Sequence, residues 1–264
     1  MLAACNKEPS EKPVAGLITM NTMAPEVSLS VTIPLESEDD FTIDWGDGTK
    51  SNMNDARFKE ESTYFGTLSL GFAHNYLLAS TYKITITGNI LSLFCANNQL
   101  TSLDVTGATR LKALECDFNQ LATLDVSRNT ELEALVCGVN QLTELDVSRN
   151  SELERLICIE NQLTTLDVSR NTVLRYLHCD NNQLTTLDVS YLTELIFLHC
   201  RYNQLTTFSL NDLFRTLSQH NEISTSSTKA GPIPKDYSVY IHGNPGTSDC
   251  DVDIAKENGW YVNL

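Results

Sequence analysis

Two patterns of hydrophobic positions divide this chain. From about residue 14 to residue 89, apolar residues alternate with polar or small ones, as in Val27, Leu29 and Val31. A period of two is typical of strands that bury one face. From residue 90 onward the alternation gives way to a longer repeat rich in leucine. The sequence therefore predicts a strand-rich module followed by a repetitive architecture.

The repeat has a period of 21 residues and reads Leu-x-x-Leu-x-Cys-x-x-Asn-Gln-Leu-x-x-Leu-Asp-Val-Ser-x-Asn. Its copies are marked by six cysteines: Cys95, Cys116, Cys137, Cys158, Cys179 and Cys200. Each unit contains two near-copies of a shorter motif, Leu-x-x-Leu-x-Cys and Leu-x-x-Leu-x-Val. One unit should form one turn of a coil, and the internal duplication predicts a short parallel strand on each side of it. Six or seven turns at about 4.8 Å spacing would span roughly 30 Å.

This unit resembles the bacterial leucine-rich repeat over residues 90–210. The fold class that we predict is mostly β: an immunoglobulin-like sandwich over 14–89, then a right-handed leucine-rich repeat solenoid with parallel strands on both sides. Residues 211–264 should form a small helical cap, with a short helix near 210–217 and a seventh copy of the motif at 239–244. A final helix should end at Gly259, and Trp260 should cover the open end.

The first module carries a second recognisable pattern. It consists of Trp45-Gly46-Asp47-Gly48, then His74-Asn75-Tyr76, then Tyr82-x-Ile84-x-Ile86. This order resembles the PKD-type β-sandwich, although Ser80-Thr81 stands where that family has a glycine. The resemblance implies a spacer or a contact module without catalytic activity. Trp45, Asp47 and His74 are an alternative site, but the favoured interpretation is structural, with Asp47 bonding amides of its own turn.

The beginning of the chain predicts export. Leu2-Ala3-Ala4-Cys5 resembles the lipobox of bacterial lipoproteins, and the polar residues up to 13 resemble a flexible tether. The basic and apolar parts of a signal peptide are missing, so a chance match is the alternative. The resemblance implies lipidation at Cys5 and an outer-membrane lipoprotein at the cell surface.

Composition limits the class of partner. Hydrophobic residues make up 41% of the chain, and 18 basic against 34 acidic residues give a net charge of −16. Such a charge repels nucleic acid and anionic lipid headgroups, so neither is predicted as a partner. No apolar run reaches the roughly 18–20 residues of a membrane span, which leaves a lipid anchor as the expected membrane contact. A monomer is expected.

Repeated cysteines and aspartates raise the question of metal sites. A straight row with one thiol per coil cannot surround zinc tetrahedrally, and in-register side chains aim poorly for disulfides. Free, buried thiols are therefore the favoured interpretation. The outward aspartates of the second half-unit are a calcium alternative, but bonds to nearby hydroxyls and amides are favoured: Asp104, Asp125, Asp146, Asp167 and Asp188. We predict no resident metal and no cofactor.

Outward positions around each cysteine do not repeat, and they supply the candidate binding residues. These are Phe94, Val136, Ile157, Tyr176, His178, Phe197, His199, Arg201, Tyr202 and Tyr240. Apolar and aromatic side chains in such positions mark contact surfaces, with β-propensity as the alternative. His178 and His199 should lie one above the other, and a metal shared with Asp180 is a minor alternative.

The functional hypothesis is a non-catalytic surface protein that binds another protein or acts in adhesion. A glycan-binding accessory lipoprotein of polysaccharide capture is the alternative. The sequence has no G-x-S-x-G or H-E-x-x-H motif, so an enzyme is not predicted.

Overall fold

The computed structural model describes residues 16–35, 41–62, 66–219 and 237–264. Within these ranges the protein is mostly β with two α-helices, which confirms the predicted mostly-β class. None of the helices in these ranges has the length and apolar character of a membrane span. Cys5 and the predicted tether 1–13 lie outside the described residues.

Strands of the N-terminal module form parts of two sheets. They are β1 (Gly16–Thr22), β2 (Glu26–Pro34), β3 (Thr42–Asp44), β4 (Lys50–Asn52), β5 (Phe58–Ser62), β6 (Thr67–Asn75) and β7 (Tyr82–Gly88). One sheet has the order β4-β3-β7-β1, and the other the order β2-β6-β5. All of these pairs are antiparallel, and a 3-10 turn at Met53–Asp55 follows β4.

Aromatic side chains join the two sheets in one core. The rings of Phe41 and Phe72 lie 5.4 Å apart, and Trp45 is buried. The Tyr76 hydroxyl donates to the Trp45 carbonyl at 2.8 Å. Buried alternate residues of both sheets belong to this core, as the period of two predicts. The resemblance to PKD-type modules stays a prediction.

The repeats form a parallel ladder of short strands. They are β8 (Ser92–Phe94), β10 (Ala113–Glu115), β11 (Ala134–Val136), β12 (Arg155–Ile157), β13 (Tyr176–His178), β14 (Phe197–His199) and β15 (Tyr237–Tyr240). Up to β14, neighbours are offset by one repeat, so equivalent residues of successive coils lie side by side. The seventh copy of the motif, predicted at 239–244, begins within β15 beside β14.

The N-terminal module continues directly into the solenoid. β8 pairs with β2 in antiparallel fashion, with Val31 opposite Leu93. On the other side β9 (Leu100–Asp104) pairs with β1, with Met20 opposite Leu103. Each sheet of the module thus extends into the first coil, and the edge of the first repeat is covered by paired strands.

The return side of the coil differs from the expectation of a strand on both sides. Only β9 is a strand there among the described residues, and the later return segments contain no strand. β9 pairs with β1, whereas in a later coil two return-side amides bond side chains: Leu121 N donates to Asn140 Oδ1, and Ser127 N donates to Asp125 Oδ1. The Gln141 amide still bonds the Leu121 carbonyl at 2.9 Å, which joins successive coils at one point.

Asparagine side chains bind the coils together at the corner after each strand. Asn140 is typical: its Nδ2 donates to the carbonyls of Cys116, Cys137 and Gly138, and its Oδ1 accepts from Leu121 N. Asn119, Asn161, Asn182, Asn203 and Asn244 make equivalent bonds in their own coils. Buried backbone groups at the corner are therefore satisfied without strand pairing.

Two helices and one additional strand form the C-terminal end. α1 (Thr207–Thr216) begins at the Thr206 cap and takes the place of a return segment, and α2 (Val252–Glu257) begins at the Asp251 cap. Gly259 then adopts a φ of 84°, and Trp260 is buried as predicted. Sequence reasoning missed β16 (Trp260–Asn263), which extends the parallel ladder beyond β15.

Candidate functional site

The outward side chains of β8 and β10–β15, with the outward residues that follow each cysteine, form what we call the strand face. Strand pairing places its central column in the predicted order: Phe94, Glu115, Val136, Ile157, His178, His199 and Tyr240. Tyr176 and Phe197 are neighbours in the preceding column. The face therefore collects all ten predicted binding residues on one side of the molecule.

Most of these ten side chains are only partly exposed to solvent. Tyr202 is exposed, with 49% of its surface accessible. The other nine are half-buried: Phe94, Val136, Ile157, Tyr176, His178, Phe197, His199, Arg201 and Tyr240. Each is flanked by neighbours at the strand spacing of about 4.8 Å, so large side chains cover one another.

The chemistry of the strand face changes along the coil axis. Near the N-terminal module, burial raises the pKa of Glu115 and of Asp117. In the middle the face is apolar, with Val136, Ile157 and Ile159. Aromatic, histidine and arginine side chains occupy the last three coils. A partner would therefore meet three chemically different zones, of which the last has the most aromatic surface.

We call Tyr176, Phe197, His199, Tyr202 and Tyr240 the aromatic zone. The rings of Tyr176 and Phe197 lie 5.7 Å apart with 14° between their planes, and the His199 ring stacks on Tyr240 at 4.1 Å. Such offset stacking is favourable for aromatic pairs. The Tyr202 ring lies against Gly243, where an added Cβ would come 2.4 Å from the ring. Packing thus holds these rings in place before any partner binds.

Four side chains beside this zone form a connected polar group, which we call the His-Asp-Arg cluster: His178, Asp180, His199 and Arg201. Asp180 Oδ2 lies 2.9 Å from His178 Nε2 and 2.7 Å from both Nε and Nη2 of Arg201. The distance from His199 Nδ1 to the same oxygen is 4.0 Å. The other carboxylate oxygen accepts the Arg201 backbone amide at 2.7 Å. The structure therefore brings the two histidines and Asp180 together as the sequence predicted.

Asp180 differs from the expectation of an outward residue because its side chain is only 4% accessible. Burial by itself raises its pKa, but hydrogen bonds from His178 and Arg201 outweigh burial and the pKa is lowered. Burial also lowers the pKa of His199 to about 4, and the charges of His178 and Arg201 act in the same direction. At neutral pH the cluster thus contains an ionised carboxylate paired with arginine beside a neutral His199.

A backbone feature that sequence reasoning missed shapes the rim of the strand face. The residue before each corner asparagine is left-handed, including Phe118 (φ 54°), Val139 (φ 50°) and Tyr202 (φ 51°). Such a conformation costs a non-glycine residue roughly 1–2 kcal/mol. The sequence carried one signal of this left-handed turn: in the seventh copy of the motif, a glycine, Gly243, occupies the same position, and its φ is 77°. The turn is therefore imposed by the coil, and it holds Phe118 and Tyr202 exposed at the rim.

The remaining candidate sites are satisfied internally. Asp125 Oδ1 accepts the Ser127 amide at 2.9 Å, and hydrogen bonds from Ser127 lower the pKa of Asp125. Asp146, Asp167 and Asp188 make the same turn with the residue two positions later. In the first module Asp47 bonds Thr49, as expected, and also His74 Nε2 at 2.7 Å. Each of these carboxylates therefore has a hydrogen-bond partner within its own turn or module.

The cysteine row lines the core. All six row thiols are fully buried and free, and burial raises the pKa of each, for example that of Cys158 to about 12. A thiol that stays protonated is a poor nucleophile and a poor metal ligand. Cys250 lies outside this row and is half-buried.

Comparison with solved structures finds similar coils in bacterial proteins. The functional domain of InlJ from Listeria monocytogenes, which includes a cysteine ladder, is 29% identical (TM-score 0.44), over 66% of this chain and 49% of that one. An internalin, InlF, from the same organism is 21% identical (TM-score 0.48), over 60% and 42%. A leucine-rich repeat protein of Leptospira interrogans is 22% identical (TM-score 0.44), over 61% and 44%.

No protein-family model matches the sequence, and no curated protein matches it either. The chain spans about half of the length of the three solved structures, or less. Its own repeat sequence and the parallel ladder that the repeats form make the part from residue 90 a leucine-rich repeat solenoid.

Proposed function

We propose that this protein is a non-catalytic binding protein of the bacterial cell surface and that its aromatic zone contacts a protein partner. The proposal rests on which positions of the repeat vary from coil to coil. The inward strand positions hold leucine in six coils and valine in the seventh, whereas the outward central column differs in almost every coil. Stacking of coils requires the inward residues alone. The outward variation therefore favours selection for a contact.

The composition of the aromatic zone supports a protein contact. Tyrosine and arginine are enriched among the residues that dominate protein interfaces, and the strand face here carries Tyr176, Tyr202 and Tyr240, with Arg201 5.7 Å from the Tyr240 ring. Tyr176 is already stacked on Phe197 and Tyr240 on His199, so binding would cost these rings little side-chain freedom. Surface attachment through Cys5 completes the proposal, with the solenoid presented to the outside.

The test uses the whole chain, because β2 and β1 pair with the first coil and a fragment from residue 90 would lose that cover. Immobilised protein is exposed to solubilised host and bacterial surface proteins, and bound proteins are quantified by mass spectrometry. The triple variant Tyr176→Ala, Phe197→Ala and Tyr202→Ala removes three of the five rings of the aromatic zone. The matched control, Tyr191→Ala with Phe208→Ala, removes exposed aromatic residues that lie outside the strand face.

A partner should be enriched on the wild type and on the control and should be lost from the triple variant. Since one interface hot spot is worth about 2 kcal/mol or more, affinity should fall at least about 30-fold. Equal retention by the folded triple variant would contradict the proposal. A parallel glycan array tests the alternative: binding there, lost in the same variant, would assign the zone to glycan capture.

A further inference from the structure

We propose that His178, Asp180 and His199 form a binding site for a divalent transition metal ion, with zinc as the expected ion, and that Arg201 competes for it. This inference is independent of the proposed protein contact. One donor atom from each of the three residues lies within 4.8 Å of the other two. Two imidazole nitrogens and one carboxylate oxygen are a ligand set that zinc uses in sites with an open fourth position.

Strand register explains why these donors converge. His178 and His199 are direct partners in β13 and β14, and their ring centroids lie 4.5 Å apart. Asp180 follows His178 by two residues, so it leaves the coil on the same side. Zinc with ligands at about 2.0–2.2 Å requires donors separated by roughly 3.3 Å. The separations of 2.9 Å and 4.0 Å from Asp180 Oδ2 to the two histidines lie on either side of that value.

The surroundings hold the three ligands in position. Asp180 Oδ1 accepts the Arg201 amide, which leaves Oδ2 directed at the histidines. Tyr240 stacks on the His199 ring and restricts its rotation. Both histidine side chains keep about a quarter of their surface accessible, at 29% and 24%, so an ion and its water ligand can enter from solvent. Such outer contacts strengthen metal sites by orienting the ligands.

Arg201 occupies the position that an ion would take. Its Nη2 lies 2.7 Å from Asp180 Oδ2 and 3.5 Å from His199 Nδ1, between two of the proposed ligands. The guanidinium group thus neutralises the carboxylate in the absence of metal. Its side chain is 36% accessible, so it can move toward solvent when an ion binds. Zinc must displace this cation, and it must also replace the hydrogen bond between His178 Nε2 and Asp180 Oδ2, which a shift of the ring proton to Nδ1 allows.

The experiment titrates the chelator-treated whole chain with Zn²⁺ by calorimetry, and with Co²⁺ by visible absorption, which reports coordination by nitrogen and oxygen ligands. His178→Phe and His199→Phe remove one ligand each and retain an aromatic ring. His242→Phe is the matched control, since His242 lies on the same face outside the cluster. Arg201→Met removes the competing cation and retains an unbranched side chain.

The wild type should bind one zinc ion per chain, seen as saturation at one equivalent in both titrations. Each ligand variant should weaken binding at least about 10-fold, because even outer partners of metal ligands contribute about 10–100-fold. His242→Phe should bind as the wild type does. Arg201→Met should bind about 10-fold more tightly, because a charge-assisted contact no longer competes.

Absence of saturable binding below about 1 mM in the wild type would overturn the proposal. Equal zinc affinity in the wild type and in both ligand variants would also overturn it, since the ion would then lie on surface carboxylates. Circular dichroism establishes that each variant is folded. If Arg201→Met does not fold, the two histidine variants and their control still decide the question.

Discussion

Replacement of one corner asparagine tests the account of how the solenoid is held together. Asn161 is buried, and its Oδ1 accepts the Leu142 amide at 3.0 Å. Its Nδ2 donates to the carbonyls of Cys137, Cys158 and Ile159 at 3.1–3.3 Å. The change Asn161→Ala removes all four bonds at once. The consequences for these four backbone groups are unequal.

The three carbonyls keep a second donor each. Cys137 O still accepts from Asn140, Cys158 O from Asn182, and Ile159 O from the Val139 amide. Only the Leu142 amide loses its partner inside the protein. A buried unsatisfied amide costs about 1–3 kcal/mol, and weaker contacts at the carbonyls should bring the total to about 2–4 kcal/mol. Asn161→Asp should cost at least as much, because it directs a charge at three carbonyl oxygens.

Urea unfolding followed by circular dichroism measures this loss. The control is Gln162→Ala, which changes the adjacent exposed side chain and should stay within about 0.5 kcal/mol of the wild type. The slope of free energy against urea should be unchanged in both, so that midpoints can be compared. If Asn161→Ala and Gln162→Ala unfold at the same urea concentration, the corner ladder does not stabilise the coil and the reasoning is refuted.

Two further predictions concern chemistry at single residues. Burial raises the pKa of Cys250 as well as those of the six row cysteines, but Cys250 is only half-buried. At neutral pH iodoacetamide should therefore reach and modify Cys250 long before the row cysteines; peptide mass spectrometry that finds equal labelling would contradict this. Burial raises the pKa of Asp47, but bonds from Thr49 and His74 outweigh burial and bring the pKa to about 2. Asp47→Asn should therefore lower the free energy of unfolding by about 1 kcal/mol at pH 7, and the difference should vanish as the pH falls from about 4 to 2, where the wild-type carboxylate becomes protonated. A difference that does not change over that range in acid unfolding curves would be inconsistent with the shift.

The repeat made the solenoid largely predictable. A fixed spacing of 21 residues forces equivalent side chains into register, so the cysteine row, the corner asparagines and the column through His178 and His199 follow from arithmetic. The inward position of the thiols follows in the same way, since each lies two residues after a buried leucine. Ring contacts between neighbouring coils, such as that of Tyr176 with Phe197, are the direct consequence of this register.

Interactions between different parts of the chain were less predictable. The return side formed a strand only at β9 among the described residues, because β9 pairs with β1 of the N-terminal module, and the repeat itself does not show that neighbour. β16 was missed because a strand of four residues at a chain end carries little periodicity. The left-handed residue before each corner asparagine is set by the closure of the coil, and residues as different as Phe118 and Tyr202 adopt it.

The sequence by itself thus determined which residues face the core, which face solvent and which stand beside one another in the coil, because periodicity converts spacing into position. Only the tertiary structure decided how the outward residues combine. It buried Asp180 and placed the Arg201 guanidinium on its carboxylate. The physical reason is that side-chain direction and partner choice depend on contacts between three successive coils, which no pattern within one coil specifies.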